Sequence, residues 1–192
     1  MEAFLVSAGV VAIAEIGDKT QLLAIIMAAR FRQPVSIIAG ILFATLANHA
    51  LAAWFGTLVA GWLTGEILQT ILGVSFLAMA GWALIPDKQE DEDTPAERAG
   101  AFMATLIAFF LVEIGDKTQI ATVALAARFH EVLWVTAGTT AGMMLANVPA
   151  VLLGDRVTRI APLALIRSLA AAIFAVLGVA ALWGPAIRWL GA

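Results

Sequence analysis

The sequence predicts an all-α membrane protein of six transmembrane helices, arranged as an inverted 3+3 repeat. Three observations predict it. Of 192 residues, 62% are hydrophobic and 13% charged, against about 25% charged in a soluble domain, and mean hydropathy is +0.96. Six apolar stretches come close to or exceed the roughly 20 residues a helix needs to cross a bilayer core. The chain also repeats itself: Ala28-Ala29-Arg30-Phe31 returns as Ala126-Ala127-Arg128-Phe129, 98 residues later.

The expected spans are Ala3–Ala29, Val35–Leu63, Ile67–Ile85, Gly100–Ala127, Val132–Leu153 and Leu163–Trp183. Met1-Glu2-Ala3-Phe4 lacks the positive n-region of a signal peptide, so the first apolar run is read as a mature span. Arg30-Phe31-Arg32-Gln33-Pro34 closes the first span, Thr64-Gly65-Glu66 the second and Pro86 the third, while Asp155-Arg156 follows the fifth. Trp62, Trp82, Trp134, Trp183 and Trp189 fall near span ends, where amphipathic rings suit the interface.

Residues 86–99 form an acidic linker, with Asp87, Glu90, Asp91, Glu92 and Asp93 lying between Pro86 and Pro95. Such a run is solvated and packs no core. It separates a first repeat, 1–85, from a second, 100–192. Glu15 and Glu113 share the spacing of 98, as do Ala39-Gly40 and Ala137-Gly138, whereas Leu46-Ala47-Asn48 recurs one step out of phase as Leu145-Ala146-Asn147. Three spans per repeat is an odd number, so the second repeat enters from the opposite side. Secondary transporters are commonly built this way, with the substrate site at the repeat interface.

Lys and Arg outside the spans set the orientation. One side carries Arg30, Arg32, Lys88, Arg98, Arg156, Arg159 and Arg167; the other carries Arg128 and Arg188. The first side is expected in the cytoplasm with the linker, and both termini outside. A formal net charge of −3 and the lack of a basic tract give nucleic-acid binding no support. The absence of cysteine excludes disulfides, zinc–thiolate sites and thiol catalysis. The expected partners are membrane lipid and divalent metal ions, with a homo-oligomer left open.

Four of the fourteen acidic residues, Glu15, Asp18, Glu113 and Asp116, sit near the centres of spans. A charge at the bilayer centre costs roughly 2.5–3.5 kcal/mol even on the lower scales, so intramembrane acids mark function. On an unbroken helix Glu15, Asp18 and Lys19 share a side, with Gly17 leaving the backbone open to close approach. Glu113, Gly115, Asp116 and Lys117 repeat the pattern. If the halves pack about a pseudo-two-fold axis, four carboxylates converge, and hard divalent cations take oxygen ligands of this kind. Thr20, Gln21, Thr118, Gln119, Asn48 and Asn147 are further candidate oxygen ligands. A carboxylate holds either a proton or a metal ion, so proton–cation exchange is the expected coupling, with no resident cofactor.

Two structural readings stand beside the functional one. Glu15 with Lys19, and Glu113 with Lys117, make ion pairs along one helix; or Gly17 breaks the helix and Asp18 caps the next segment, with Gln21 completing a capping box. His49 is expected to pack through hydrogen bonds, since the matching position holds Val148. Gly138 with Gly142, and Gly40 with Ala44, are small-residue pairs suited to close helix contacts.

Glu15-Ile16-Gly17-Asp18-Lys19-Thr20 and Glu113-Ile114-Gly115-Asp116-Lys117-Thr118 each resemble the Glu-x-Gly-Asp-Lys/Arg-Thr/Ser signature of a cation antiporter family. That family includes the Golgi calcium/manganese transporters of eukaryotes and the bacterial manganese exporters of the MneA type. The resemblance covers nearly the whole chain. It implies a manganese or calcium substrate, proton exchange and the motif acids as ligands. Lys19 and Lys117, beside those acids, are expected in ion-pair or gating roles. A bacterial plasma membrane is the expected location. The competing expectation is an exporter of a cationic amino acid or other small solute. Acid–base enzymology fits less well, because an enzyme has no need of the same seven residues in both halves.

Overall fold

A computed structural model describes residues 1–63, 65–85, 100–153 and 163–190, including side chains for all of these except 163–167, 184 and 188–190. The linker 86–99 and the Asp155-Arg156 break lie outside the described residues. Every described element is an α-helix: α1 Glu2–Glu15, α2 Lys19–Phe31, α3 Pro34–Trp62, α4 Gly65–Ala83, α5 Ala101–Glu113, α6 Lys117–Phe129, α7 Val132–Leu153 and α8 Leu163–Leu190. Among these, α3, α4 and α7 are long and apolar enough to cross a membrane as single helices.

The expected first and fourth spans are not continuous. Each breaks at its motif, giving α1 then α2 and α5 then α6, so Glu15 and Asp18 do not share one helix face. Gly17 at φ 81° and Gly115 at φ 78° take a left-handed conformation that costs glycine little and other residues more. The next residue in each case is aspartate, a strong N-cap. Asp18 accepts from the Lys19 N–H, and Asp116 from the Thr118 N–H. In each half three residues, Ile16 to Asp18 and Ile114 to Asp116, thus stop one helix and start another. At the far ends Arg32 (φ 53°) and His130 (φ 57°) close α2 and α6, each backbone N–H returning to the carbonyl of Ala28 or Ala126.

The two halves pack by matching contacts. A Cβ added at Gly40 in α3 would lie 2.8 Å from the Phe102 carbonyl oxygen and 2.8 Å from Thr105 Cβ in α5. At Gly138 in α7, 98 positions on, the same atom would lie 2.4 Å from the Phe4 carbonyl oxygen and 2.9 Å from Ser7 Cβ in α1. Gly142 adds another such contact, to the Ala8 carbonyl oxygen at 2.5 Å. The small-residue pairs therefore let helices of opposite halves touch through their backbones. Phe76 of α4 stacks on Phe174 of α8 with ring centroids 6.4 Å apart, and these two also differ by 98, so matching positions meet each other.

Large apolar side chains cover the outside while a set of polar groups is buried. Leu42, Phe43, Leu46, Leu51, Trp54, Phe55 and Leu145 lie exposed, while Glu15, Asp18, Thr20, Gln21, Asn48, His49, Glu113, Asp116, Lys117 and Asn147 are buried. A water-soluble chain would keep such apolar area covered. A hydrocarbon solvent makes the exposed side chains favourable, and the polar groups are enclosed within an otherwise apolar interior that includes Met27, Ile37, Phe109 and Phe174.

Candidate metal centre

The helix breaks build the site. Each places a glutamate at the end of one half-helix and an aspartate and lysine at the start of the next, where four backbone N–H groups lack helical partners. The Asp18 N–H reaches the Glu15 carbonyl and the Asp116 N–H the Glu113 carbonyl, both at 3.1 Å. Gln21 Oε1 accepts the Gly17 N–H at 2.9 Å, and Gln119 Oε1 the Gly115 N–H at 2.8 Å. The expected capping box is therefore displaced by one residue, because the glutamate carbonyl already occupies the N–H of the cap.

The glutamates are held by hydroxyls. Thr20 donates to Glu15 Oε2 at 2.5 Å, and Thr118 lies 3.2 Å from Glu113 Oε2 and 3.3 Å from Asp116 Oδ2. A hydroxyl has one proton, so Thr118 serves one of its two acceptors at a time. The other oxygens, Glu15 Oε1 and Glu113 Oε1, are buried without a hydrogen-bond partner. Carboxylate oxygens of Glu15, Glu113 and Asp116 lie within 4.8 Å of one another, and all three residues are buried. A calcium-sized ion keeps its oxygen ligands at about 2.3–2.6 Å, so ligands on opposite sides of it are about 5 Å apart. The three-acid group fits that measure.

The ion pairs cross between halves. Lys19 Nζ lies 3.3 Å from Asp116 Oδ1, and Lys117 Nζ 3.0 Å from Asp18 Oδ1. The expected pairing of Glu15 with Lys19 and Glu113 with Lys117 is thus replaced. Each lysine leaves the helix start beside its own glutamate's carbonyl and reaches the aspartate of the other half. The aspartates are the acids that sit in ion-pair contact with these ammonium groups. With all six groups ionised the centre carries four negative and two positive charges, a net −2.

The remaining candidates divide. Gln21 Nε2 donates to the Ala146 carbonyl at 3.0 Å, tying α2 to α7 beside Asn147. Asn48 Nδ2 donates to the Phe110 carbonyl at 3.0 Å, tying α3 to the last turn of α5. Asn147 Nδ2 turns back to Met143 at 3.1 Å, and its buried Oδ1 has no partner. Gln119 is partly exposed and its oxygen is taken by Gly115. Gln21 thus holds one buried and one part-buried bond, and Gln119 one exposed bond. In thermal unfolding Gln21→Ala is expected to cost about 2 kcal/mol and Gln119→Ala about 1 kcal/mol or less, at roughly 1 kcal/mol per hydrogen bond.

His49 does not pack through hydrogen bonds. It is fully buried in α3, and neither ring nitrogen has a partner. Leucine has a similar volume and no polar atoms to leave unmet. His49→Leu is expected to raise stability by about 1–2 kcal/mol, read as a higher melting temperature. Sequence reasoning missed the crossed pairs. Their signal was present in the lysine following each motif aspartate, but only the packing shows that it reaches across.

Comparison with known proteins gives the family. The model of the family described as divalent cation/proton antiporter GDT1 matches residues 3–91 and residues 101–188. A protein of Vibrio cholerae serotype O1 described as "Putative manganese exporter" is 54% identical over 181 residues, spanning 94% of this chain and 90% of the relative. No solved structure matches the chain. With nearly its whole length matched, the chain belongs to the divalent cation/proton antiporter GDT1 family.

Proposed function

We propose that this protein exports divalent cations from the bacterial cytoplasm, manganese first and calcium as a second substrate, in exchange for protons. The carrying observation is the buried group of Glu15, Glu113 and Asp116, drawn from both halves with oxygens within 4.8 Å of one another. It supplies hard oxygen donors inside an apolar shell, where uncompensated charge is expensive and a cation is the natural partner. The same oxygens accept protons. Cation and proton therefore compete, and loading from one side with displacement on the other gives antiport. Manganese is favoured over calcium by the description of the Vibrio relative.

The reading includes six spans in an inverted 3+3 repeat. The first and fourth spans are then the broken pairs α1–α2 and α5–α6, and matching contacts at Gly40 and Gly138 support the pseudo-two-fold relation. Half-helices meeting at midplane are a recurring way to bind ions within transporters. The side bearing Arg30 and Arg32 faces the cytoplasm and both termini face outward, by the distribution of positive residues.

The test is flux in proteoliposomes containing a pH-sensitive dye. Manganese movement with opposite proton movement is the expected result. Manganese movement unaffected by the proton gradient would remove the antiport. No metal movement through folded protein would remove the metal substrate and favour a cationic organic solute.

A further inference from the structure

Resting on the metal reading of the three-acid group, we infer that Lys19 is a tethered stand-in for the transported ion. Its ammonium holds Asp116 until a divalent cation takes its place, whereas Lys117 stays on Asp18 as a fixed tie between the halves.

The two crossed pairs match by position but differ in surroundings. The Lys117 side chain is 6% exposed against an Asp18 side chain at 0%, while the Lys19 side chain is 36% exposed. Lys117 is enclosed together with Asp18. Lys19 has an open flank and four rotatable carbons with which to move. Their aspartates differ in the same sense. Asp116 belongs to the group with Glu15 and Glu113, and Asp18 does not.

Asp116 thus faces two cations. Its Oδ1 is 3.3 Å from Lys19 Nζ, and its carboxylate completes the group that would surround a metal ion. An ammonium at that distance and a divalent ion among the same oxygens repel each other strongly in a medium of low dielectric. One of them leaves, and the exposed lysine is the one free to do so. Two consequences follow. Lys19 competes with the cargo, so it lowers affinity. It also covers the Asp116 charge after the cargo departs, easing the carrier's return.

The chain has three lysines, Lys19, Lys88 and Lys117, so modification can be read residue by residue. Purified full-length protein is treated briefly with an amine-reactive ester, with and without saturating manganese chloride, and the products are resolved by mass spectrometry. Lys19 labelling is expected to rise about fivefold or more with manganese, and Lys117 labelling to stay low. Manganese binding, followed from the spin resonance of the free ion, is expected to tighten about tenfold in Lys19→Met. Bound manganese that leaves Lys19 labelling unchanged or lower overturns the inference, as does unaltered or weaker affinity in folded Lys19→Met. The labelling arm uses the unmodified sequence and does not depend on a variant folding. Absence of manganese binding altogether overturns the metal reading itself, and the displacement with it.

Discussion

Glu113→Gln and Glu15→Gln are each expected to reduce manganese flux by at least about 100-fold while leaving the protein as stable as before, or more so. Each glutamate is fully buried, holds one oxygen to a threonine hydroxyl and leaves the other without a partner. Glutamine has the same shape and keeps an acceptor for the threonine. It removes the negative charge, and with it, in the proposed antiport, both a cation ligand and a place for the proton. Loss of an outer-shell partner alone lowers metal affinity about 10–100-fold, so loss of a ligand sets a floor at the upper end of that range. Stability moves the other way, because a fully buried carboxylate oxygen without a partner is costly to keep charged. Flux and melting temperature measured on the same preparations separate the two roles. Intact flux with a lower melting temperature would make these glutamates structural.

The aspartates behave differently because their charges are matched. Asp18 and Asp116 each face a lysine of the other half, and removing one member of a buried pair leaves the other uncompensated. The identical motifs therefore contain two kinds of acid. Each glutamate keeps one buried oxygen without a hydrogen-bond partner, and the aspartates start helices and bind lysines, Asp116 also standing beside both glutamates.

That division was only partly legible in the sequence. The acids, their repetition at a spacing of 98 and the helical class follow from composition and pattern, because charge in an apolar run is too costly to be incidental. The break at Gly17 and Asp18 was one of two readings available from the same residues. Glycine tolerates either conformation, and only the neighbouring chain decides. The crossed lysines were not legible. Lys19 stands four residues from Glu15, the spacing of an ordinary pair along one helix, and the left-handed turn at Gly17 removes that geometry. The difference between Lys19 and Lys117 has no sequence signal within the motifs, which are the same from Glu to Gln. It arises from how α2 and α6 are covered by the rest of the chain.

Gly56→Ala is expected to lower stability by about 3 kcal/mol and to abolish most transport, whereas Gly61→Ala in the same helix should be neutral or slightly stabilising. Both exchanges make the same chemical change in α3. Alanine is the better helix former by about 0.8–1.0 kcal/mol, so without contacts both variants would gain. Nothing lies within 4 Å of a Cβ at Gly61, but at Gly56 it would lie 2.3 Å from the Val123 carbonyl oxygen and 3.1 Å from Val123 Cα. Those are backbone atoms of α6 and have no rotamer to move, so α3 and α6 must separate. Overpacking of this kind costs about 1–3 kcal/mol or more. The functional loss exceeds what stability alone would give, because α6 begins at the Asp116 cap and carries Lys117 and Thr118. Shifting it moves Asp116 away from Glu15 and loosens Lys117 from Asp18 together. Val123→Ala should not rescue Gly56→Ala, since the obstacle is the carbonyl that every residue carries. Thermal unfolding and manganese flux of Gly56→Ala, Gly61→Ala and the Gly56→Ala/Val123→Ala pair test each step of this chain of cause.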